Sequence, residues 1–159
     1  MSIVKVREYL KAFGADGRIL EFPVSSATVE LAAKALGTAP ARIAKTLSFR
    51  LKDGVILVVL AGDAKTDNRK YRETFGEKAR MLDREEAEAL VGHAVGGVCP
   101  FAVNDGVKVY LDVSLKRFAT VFPAAGSANS AIELTPEELE KFSRSSGWVD
   151  VGKLPDDAE

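Results

Sequence analysis

Two segments that are well separated in sequence carry the residue types that could bind a ligand. The first, Ala44-Lys45-Thr46-Leu47, opens an apolar run, and a lysine at the mouth of a strand can hold an anion. The second, Val95-Gly96-Gly97-Val98-Cys99-Pro100-Phe101, contains two adjacent glycines, which let a ligand come close to the backbone and its bare amide N–H groups. Together the segments predict a pocket for a small ligand that carries a phosphate or an ester. They do not indicate a side-chain nucleophile.

The composition is that of an ordinary globular protein without a membrane span. Hydrophobic residues make up 47% and charged residues 28% of the 159 residues. No run of about 18 apolar residues occurs. Residues 1–20 carry several charges and lack an apolar signal core. We therefore expect one domain over residues 1–159, no contact with a membrane and a cytoplasmic location.

Soft metal ligands are scarce in this chain. His93 is its only histidine and Cys99 its only cysteine, so an intrachain disulfide is impossible. A structural zinc site needs a full set of such ligands and is not expected. Carboxylates alone could still bind a metal, but no clustered Asp/Glu motif indicates it. We expect neither a metal nor a cofactor.

The formal net charge of −1 conceals an uneven distribution of charge. Residues 42–80 hold ten Lys and Arg residues against five acids, whereas residues 133–159 hold eight acids against three bases. If the basic residues share one face, their field would attract phosphates. The alternative is a solvated face of mixed charge, and the sequence leaves both open.

Hydrophobic spacing and capping residues predict helices interleaved with strands. Helices are expected up to Phe13 and after Thr28, Asp67, Asp83 and Thr135. The Lys52-Asp53-Gly54 turn between two apolar runs predicts a β-hairpin over 45–51 and 55–61. Further extended segments are expected at 18–23, 79–82, 107–113, 119–124, 131–134 and 147–152, before a loose tail over 153–159. Hairpins interrupted by helices, without regular βαβ units, indicate an α+β domain.

Four segments occur in a characteristic order along the chain: Lys45-Thr46-Leu47, the Gly-Gly-Val-x-Pro-Phe loop, Asp112 after a β run, and the Gly126 turn. In this order they resemble the YbaK/prolyl-tRNA synthetase-associated editing domain family. The similarity covers residues 28–142 as an editing-domain-like core. The resemblance implies a mixed, largely antiparallel, β-barrel-like sheet surrounded by helices. It also implies hydrolysis of mischarged aminoacyl-tRNAs at the ester between a wrong amino acid and the terminal ribose.

The resemblance also implies roles for particular residues. Lys45 matches the family's pocket lysine, which contacts the terminal nucleotide, and Gly96 and Gly97 match the loop whose amides face the substrate's carbonyl. Positions near the pocket that would bind substrate are Thr46, Val98, Cys99, Pro100, Asp112, Gly126 and Ser127. Many relatives have Ser, Thr or another small residue in place of Cys99, so the side chains that shape the amino-acid cavity do not transfer.

An aminoacyl ester is already activated, so backbone donors and an oriented water or ribose hydroxyl could suffice to hydrolyse it. We therefore expect a freestanding aminoacyl-tRNA deacylase that works by substrate-assisted attack in a backbone-amide pocket. The expected substrate is a prolyl-tRNA that carries a wrong small amino acid. Its acceptor end is the expected partner, and an aminoacyl-tRNA synthetase is left open as a second partner.

The residues leave other functions open. One alternative is a module that binds a nucleotide or a tRNA end without hydrolysis, and another is a thiol hydrolase with Cys99 as nucleophile and His93 as base. Plainer roles are also open: Lys45 as an edge-strand lysine, Asp112 as a turn cap, and Gly96-Gly97 and Gly126-Ser127 as ordinary turns. These functions can be separated by measuring turnover of a charged tRNA by wild type and by the variants Lys45→Ala and Cys99→Ser.

Overall fold

The computed structural model describes residues 2–94 and 96–156, which form five α-helices and nine β-strands. The helices are α1 Ser2–Lys11, α2 Val29–Leu36, α3 Asn68–Phe75, α4 Arg84–Val91 and α5 Pro136–Phe142. The strands are β1 Ile19–Glu21, β2 Ile43–Leu51, β3 Gly54–Ala61, β4 Lys65–Thr66, β5 Lys108–Asp112, β6 Phe122–Pro123, β7 Ser130–Ile132, β8 Gly147–Val149 and β9 Gly152–Lys153. No helix in these two ranges is long and apolar enough to cross a bilayer.

Four helices begin at the capping residues that the sequence predicts. The side chains of Thr28, Asp67, Asp83 and Thr135 each accept a hydrogen bond from a backbone N–H in the first turn. Capping boxes form at α4 and α5, where Glu86 and Glu138 bond back to the cap residue. Helices α2, α3 and α4 each end at a glycine in the left-handed conformation.

The central sheet has the strand order β6-β2-β3-β5-β8. The predicted hairpin forms its middle, with β2 antiparallel to β3 in register from Ala44↔Ala61 to Leu51↔Gly54. The sheet is mixed and curls into a half-barrel with the helices around it, so the predicted fold class is confirmed. Two further strand pairs, β1 with β7 and β4 with β9, are antiparallel.

The central sheet combines parallel and antiparallel strand pairs. Three of its four strand pairs, β2–β6, β3–β5 and β5–β8, are parallel, and only β2–β3 is antiparallel. The physical reason is the length of the connections: helices α3 and α4 lie between β3 and β5 and carry the chain back to the end of the sheet at which β3 begins. The α+β class and the mixed sheet agree with the prediction, and antiparallel pairing is found in the β2–β3 hairpin and in the β1–β7 and β4–β9 pairs.

Strand β2 is paired discontinuously along its outer edge, which is the edge away from β3. Ile43 and Ala44 pair with β6, and Phe49 forms an isolated bridge with Met81. We predicted a strand over 79–82; in the described residues this segment forms only that one bridge. Between these two attachments, no segment of the described residues pairs with the outer edge of β2, and we call this gap the opening. The opening borders the cavity described next.

Two buried clusters pack on the sheet. The larger contains Val6 and Leu10 of α1, Val91 of α4 and Leu139 of α5. The smaller surrounds the rings of Phe49 and Tyr71, whose centroids lie 4.9 Å apart. Residues of β2 and β3 contribute to both clusters, so the hairpin is fixed by burial on its two faces.

Candidate functional site

A cavity of about 360 Å³ lies against the open edge of β2. Its walls come from β2, the start of α2, the segment that leads into α4, the loop after α4, and the β6 and β7 strands. The lining residues are Ser26, Ala27, Thr28, Val29, Ala32, Ile43, Ala44, Lys45, Thr46, Leu47, Ser48, Met81, Leu82, Asp83, Arg84, Ala87, Gly96, Val98, Phe122, Ala124, Ser130 and Ala131.

The structure brings four of the predicted site residues to this cavity. Lys45 and Thr46 line it from β2, while Gly96 and Val98 line it from the loop after α4. Gly97, Cys99, Pro100, Asp112, Gly126 and Ser127 are not among the lining residues. Val95, which opens the predicted glycine loop, lies outside the described residues, as does 157–159 of the predicted tail.

Lys45 is half-buried at the wall of the cavity. Its Nζ lies 3.4 Å from the carbonyl oxygen of Gly62 and donates a hydrogen bond to it. Burial lowers the pKa of Lys45, and the carboxylates of Asp63 and Glu30 partly oppose this shift. An ammonium group has three donors, so one bond to Gly62 leaves capacity for an anionic or hydroxyl-bearing ligand.

Gly97 supports the loop from behind rather than facing the cavity. A Cβ at Gly97 would lie 2.8 Å from the carbonyl carbon of Gly126, so only glycine allows the two backbones to cross this closely. The Gly97 N–H donates to the carbonyl oxygen of Ala94 at 3.0 Å. Gly126 has φ +100°, and a Cβ there would meet the Ser2 carbonyl oxygen at 2.8 Å. These glycines fix the position of the loop against α1.

Cys99 and His93 form a fully buried pair below the loop. His93 Nε2 lies 2.7 Å from the carbonyl oxygen of Phe101 and 3.6 Å from Cys99 Sγ. Burial raises the pKa of the Cys99 thiol to about 12 and lowers the pKa of His93. The adjacent Pro100 is also buried. The thiol is therefore protonated at neutral pH and faces the core, which does not support a thiol nucleophile.

Asp112 and Ser127 bond to the protein itself. The Asp112 carboxylate accepts from the backbone N–H groups of Ser114, Val151 and Gly152 at 2.8 to 3.0 Å. Ser127 Oγ lies 2.9 Å from Asn129 Oδ1 and 2.7 Å from Ser130 Oγ, within one turn. Their predicted roles in substrate binding stay predictions, and both side chains have structural partners.

Sequence reasoning missed several parts of the cavity wall. The start of α2 lines it with Ser26, Ala27, Thr28 and Val29, and the segment before α4 lines it with Asp83 and Arg84. The capping signals at Thr28 and Asp83 predicted both helices, but nothing in the sequence indicated that the two helix starts share a cavity. Contacts between distant segments bring them together: Ser26 N bonds to the Ala128 carbonyl, and Leu82 N bonds to the Ser48 carbonyl.

The lining defines what chemistry the cavity can perform. Its ionisable groups are Lys45, Asp83 and Arg84, and its hydroxyls belong to Ser26, Thr28, Thr46, Ser48 and Ser130; the described lining contains no His or Cys. Across residues 2–94 and 96–156, no three His, Cys, Asp or Glu side chains cluster as metal ligands. The arrangement can bind an anion and present backbone and hydroxyl groups to an ester. It does not contain a Ser-His-Asp arrangement.

Residues 24–142 match the aminoacyl-tRNA editing domain family, and the chain belongs to that family. The resemblance inferred from Lys45 and the glycine loop is thereby confirmed. The chain is 57% identical over 154 residues to the uncharacterized protein YwhH of Bacillus subtilis strain 168. This match covers 96% of the chain and 98% of YwhH.

Two further relatives connect the family to proline. The chain is 29% identical over 90 residues to the proline–tRNA ligase of Kosmotoga olearia; the match covers 56% of this chain but only 16% of the ligase. A crystal structure of a candidate trans-editing enzyme for prolyl tRNA synthetase superposes with a TM-score of 0.86 and 29% identity. That superposition covers 96% of this chain and 97% of the other.

Proposed function

We propose that this protein is an aminoacyl-tRNA deacylase that acts in trans on a mischarged prolyl-tRNA, with the ester bound in the cavity beside β2. The observation that carries the proposal is the meeting of Lys45 with the Gly96–Val98 loop in one cavity of an editing-domain fold. Full-length similarity to a candidate trans-editing enzyme for prolyl tRNA synthetase supports action in trans and the choice of tRNA. Such a substrate places the activity in the cytoplasm.

The terminal nucleotide is expected to bind beside Lys45. Lys45 and the start of α2 line the same cavity, and Thr28 caps that helix at the end where its dipole is positive. Partial burial strengthens the attraction between an ammonium and a phosphate, because less water screens the pair. Arg84, which also lines the cavity, adds a second positive charge. These groups would hold the acceptor end while leaving the acyl group deeper in the cavity.

The acyl group is expected to carry a small side chain. The buried lining residues include Ala32, Ala44, Ala87 and Ala131. The charged lining residues are exposed (Asp83 and Arg84) or half-buried (Lys45), so the buried part of the lining offers no charge to pair with a charged amino acid. Alanine, serine and cysteine fit the mixture of methyl groups and hydroxyls provided by Ser48 and Ser130.

The reaction needs little assistance from side chains. Water adds to the acyl carbon, the bond from that carbon to the ribose oxygen breaks, and a proton from the water ends on the ribose oxygen. A backbone N–H that donates to the carbonyl oxygen stabilises the tetrahedral intermediate by about 3–4 kcal/mol. The substrate's free ribose hydroxyl would orient the water, so Gly96 and Lys45 serve by positioning the ester. The products are the free amino acid and the uncharged tRNA.

The test is deacylation of prolyl-tRNAs charged with alanine, serine or cysteine. Wild type, Lys45→Ala and Cys99→Ser are compared with Lys108→Ala, an exposed lysine of β5 that does not line the cavity. We expect turnover of at least one ester, a large loss in Lys45→Ala, and retention in Cys99→Ser and Lys108→Ala. Binding of the charged tRNA without turnover would indicate that the protein is a binding module and not an enzyme. Loss in Cys99→Ser with the fold intact would favour a thiol hydrolase.

A further inference from the structure

The opening in β2 exposes the backbone of one particular residue. On the outer edge, the Ser48 carbonyl accepts from Leu82 N at 3.1 Å, and Arg50 N donates to the Arg80 carbonyl at 2.8 Å. Because backbone groups alternate between the two edges of a strand, Thr46 faces the same edge as Ser48 and Arg50. The β6 pairing stops at Ala44, so no strand of the described chain lies opposite Thr46.

A second contact confirms this alternation. Ala61 lies opposite Ala44 in the hairpin, yet its N–H donates to Ser114 Oγ at 3.1 Å on the far side of β3. Ala44 and Ala61 therefore exchange no bonds, and the same holds for Thr46 and Val59, two positions further along. The N–H and C=O of Thr46 point away from β3, towards the cavity that Thr46 lines. Its Oγ1 is buried and has no hydrogen-bond partner within the described residues.

We infer that the Thr46 backbone binds the α-aminoacyl group of the substrate as a single residue of antiparallel strand. The Thr46 N–H donates to the ester carbonyl oxygen, and the Thr46 C=O accepts from the α-ammonium group. The inference rests on the proposed function and deepens it. A hydrogen-bonded antiparallel pair exchanges both bonds between the same two residues, so one amino acid carries the complementary donor and acceptor at the required spacing.

This pairing assigns the site a substrate class, namely esters of α-amino acids as opposed to acyl groups in general. It also supplies a donor outside the glycine loop, in which the Gly97 N–H is already bonded to Ala94. Side chains of directly opposed residues lie on the same face of a sheet. The substrate's side chain would therefore lie on the face shared by Ala44, Thr46 and Ser48, next to small residues.

The first arm of the test removes the Thr46 N–H without adding atoms to the cavity. Thr46→Val is prepared with its ordinary amide and, in a second protein, with an ester in place of that amide. We expect the ester form to lose about 100-fold in kcat relative to the amide form, the usual cost of one oxyanion donor. Thermal unfolding verifies that both proteins are folded. Equal kcat values in two folded proteins would overturn the assignment of the N–H.

The second arm removes the α-amino group from the ligand. Binding of adenosine carrying a non-hydrolysable 3′-alanylamido group is compared with the 3′-propionylamido analogue, which differs only in that amino group. We expect the alanyl compound to bind wild type at least about tenfold more tightly, as for a hydrogen bond to a charged group. Hydrolysis of alanyl- and propionyl-tRNA is measured in parallel, each relative to its spontaneous rate.

The outcomes separate the two proposals. Preference for the alanyl analogue without any turnover would refute the deacylase and keep the Thr46 pairing. Turnover with no preference for the amino group, in binding or in relative rate, would refute the pairing and keep the deacylase. If the protein neither binds the analogues nor hydrolyses the esters, both are refuted.

Discussion

Replacement of Asp112 should destabilise the fold while leaving the chemistry of the cavity intact. Its carboxylate is 1% exposed and is the acceptor for three backbone N–H groups, those of Ser114, Val151 and Gly152. Asp112→Ala leaves all three donors without this acceptor. At about 1–3 kcal/mol for each buried donor, less what local relaxation recovers, the free energy of unfolding should fall by about 3–5 kcal/mol.

Asp112→Asn makes a graded version of the same test. The Asn side-chain oxygen can keep the bonds from Val151 and Gly152 that Oδ1 now accepts at 2.8 and 3.0 Å. Its NH₂ group then faces the N–H of Ser114, which places two donors together. We expect a loss of about 1–3 kcal/mol, smaller than for alanine. Asp105→Asn, an exposed aspartate in the preceding turn, is the matched control and should be near neutral.

The assay combines urea unfolding with deacylation at a temperature where each variant is folded. The expected result is the stability order Asp105→Asn, Asp112→Asn, Asp112→Ala, with kcat preserved in the folded fraction. The reasoning would be refuted if Asp112→Ala were within about 1 kcal/mol of wild type and yet inactive. That result would instead establish Asp112 as a substrate-binding residue, the role that the family resemblance implied.

Three further perturbations address the loop, the thiol and the surface. Gly97→Ala should lower the free energy of unfolding by about 1–3 kcal/mol and reduce deacylation, because its Cβ would lie 2.8 Å from the Gly126 backbone. In the control Gly17→Ala the new Cβ meets nothing within 4 Å, so unfolding and rate should match wild type. Iodoacetamide at pH 8 should leave native protein unmodified and active, since the Cys99 thiol is buried with a pKa of about 12; mass spectrometry showing rapid native labelling with loss of turnover would contradict this. The hydrogen bond from Arg18 lowers the pKa of Glu138 from 4.5 to about 2. The difference in free energy of unfolding between wild type and Glu138→Gln should therefore be complete above pH 4.5 and disappear as the pH falls towards 2. If urea titrations gave a difference that does not depend on pH over this window, the ion pair would not be its source.

Local features of the fold were predictable because their causes are local. The caps at Thr28, Asp67, Asp83 and Thr135, and the hairpin turn at Lys52-Asp53-Gly54, depend on residues a few positions apart. The direction of strand pairing was less predictable. It depends on how α3 and α4 carry the chain across the sheet, and strand patterns alone do not encode that path.

The candidate site was predictable only in part, for the same reason. Lys45 and the Gly96 loop could be identified as ligand-binding residue types, and the family resemblance placed them together. The sequence did not show that Gly97 bonds to Ala94 or that the buried Cys99 faces His93, because both facts depend on tertiary packing. Thr46 was identified from its position beside Lys45, whereas its open backbone depends on where two other segments stop pairing.

The incomplete pairing of β2 also explains why such an opening is tolerated in a folded protein. A long unpaired edge invites another strand and thereby aggregation. Here Ala44 is paired before the opening, and Ser48 and Arg50 are bonded after it. Among contacts of the described residues, Thr46 is therefore the one position on this edge whose N–H and C=O both lack a strand partner. An opening of one residue is too short to template a strand from another chain. In our proposal it matches the length of a single amino acid, so the feature that limits misassociation also limits what the site can bind.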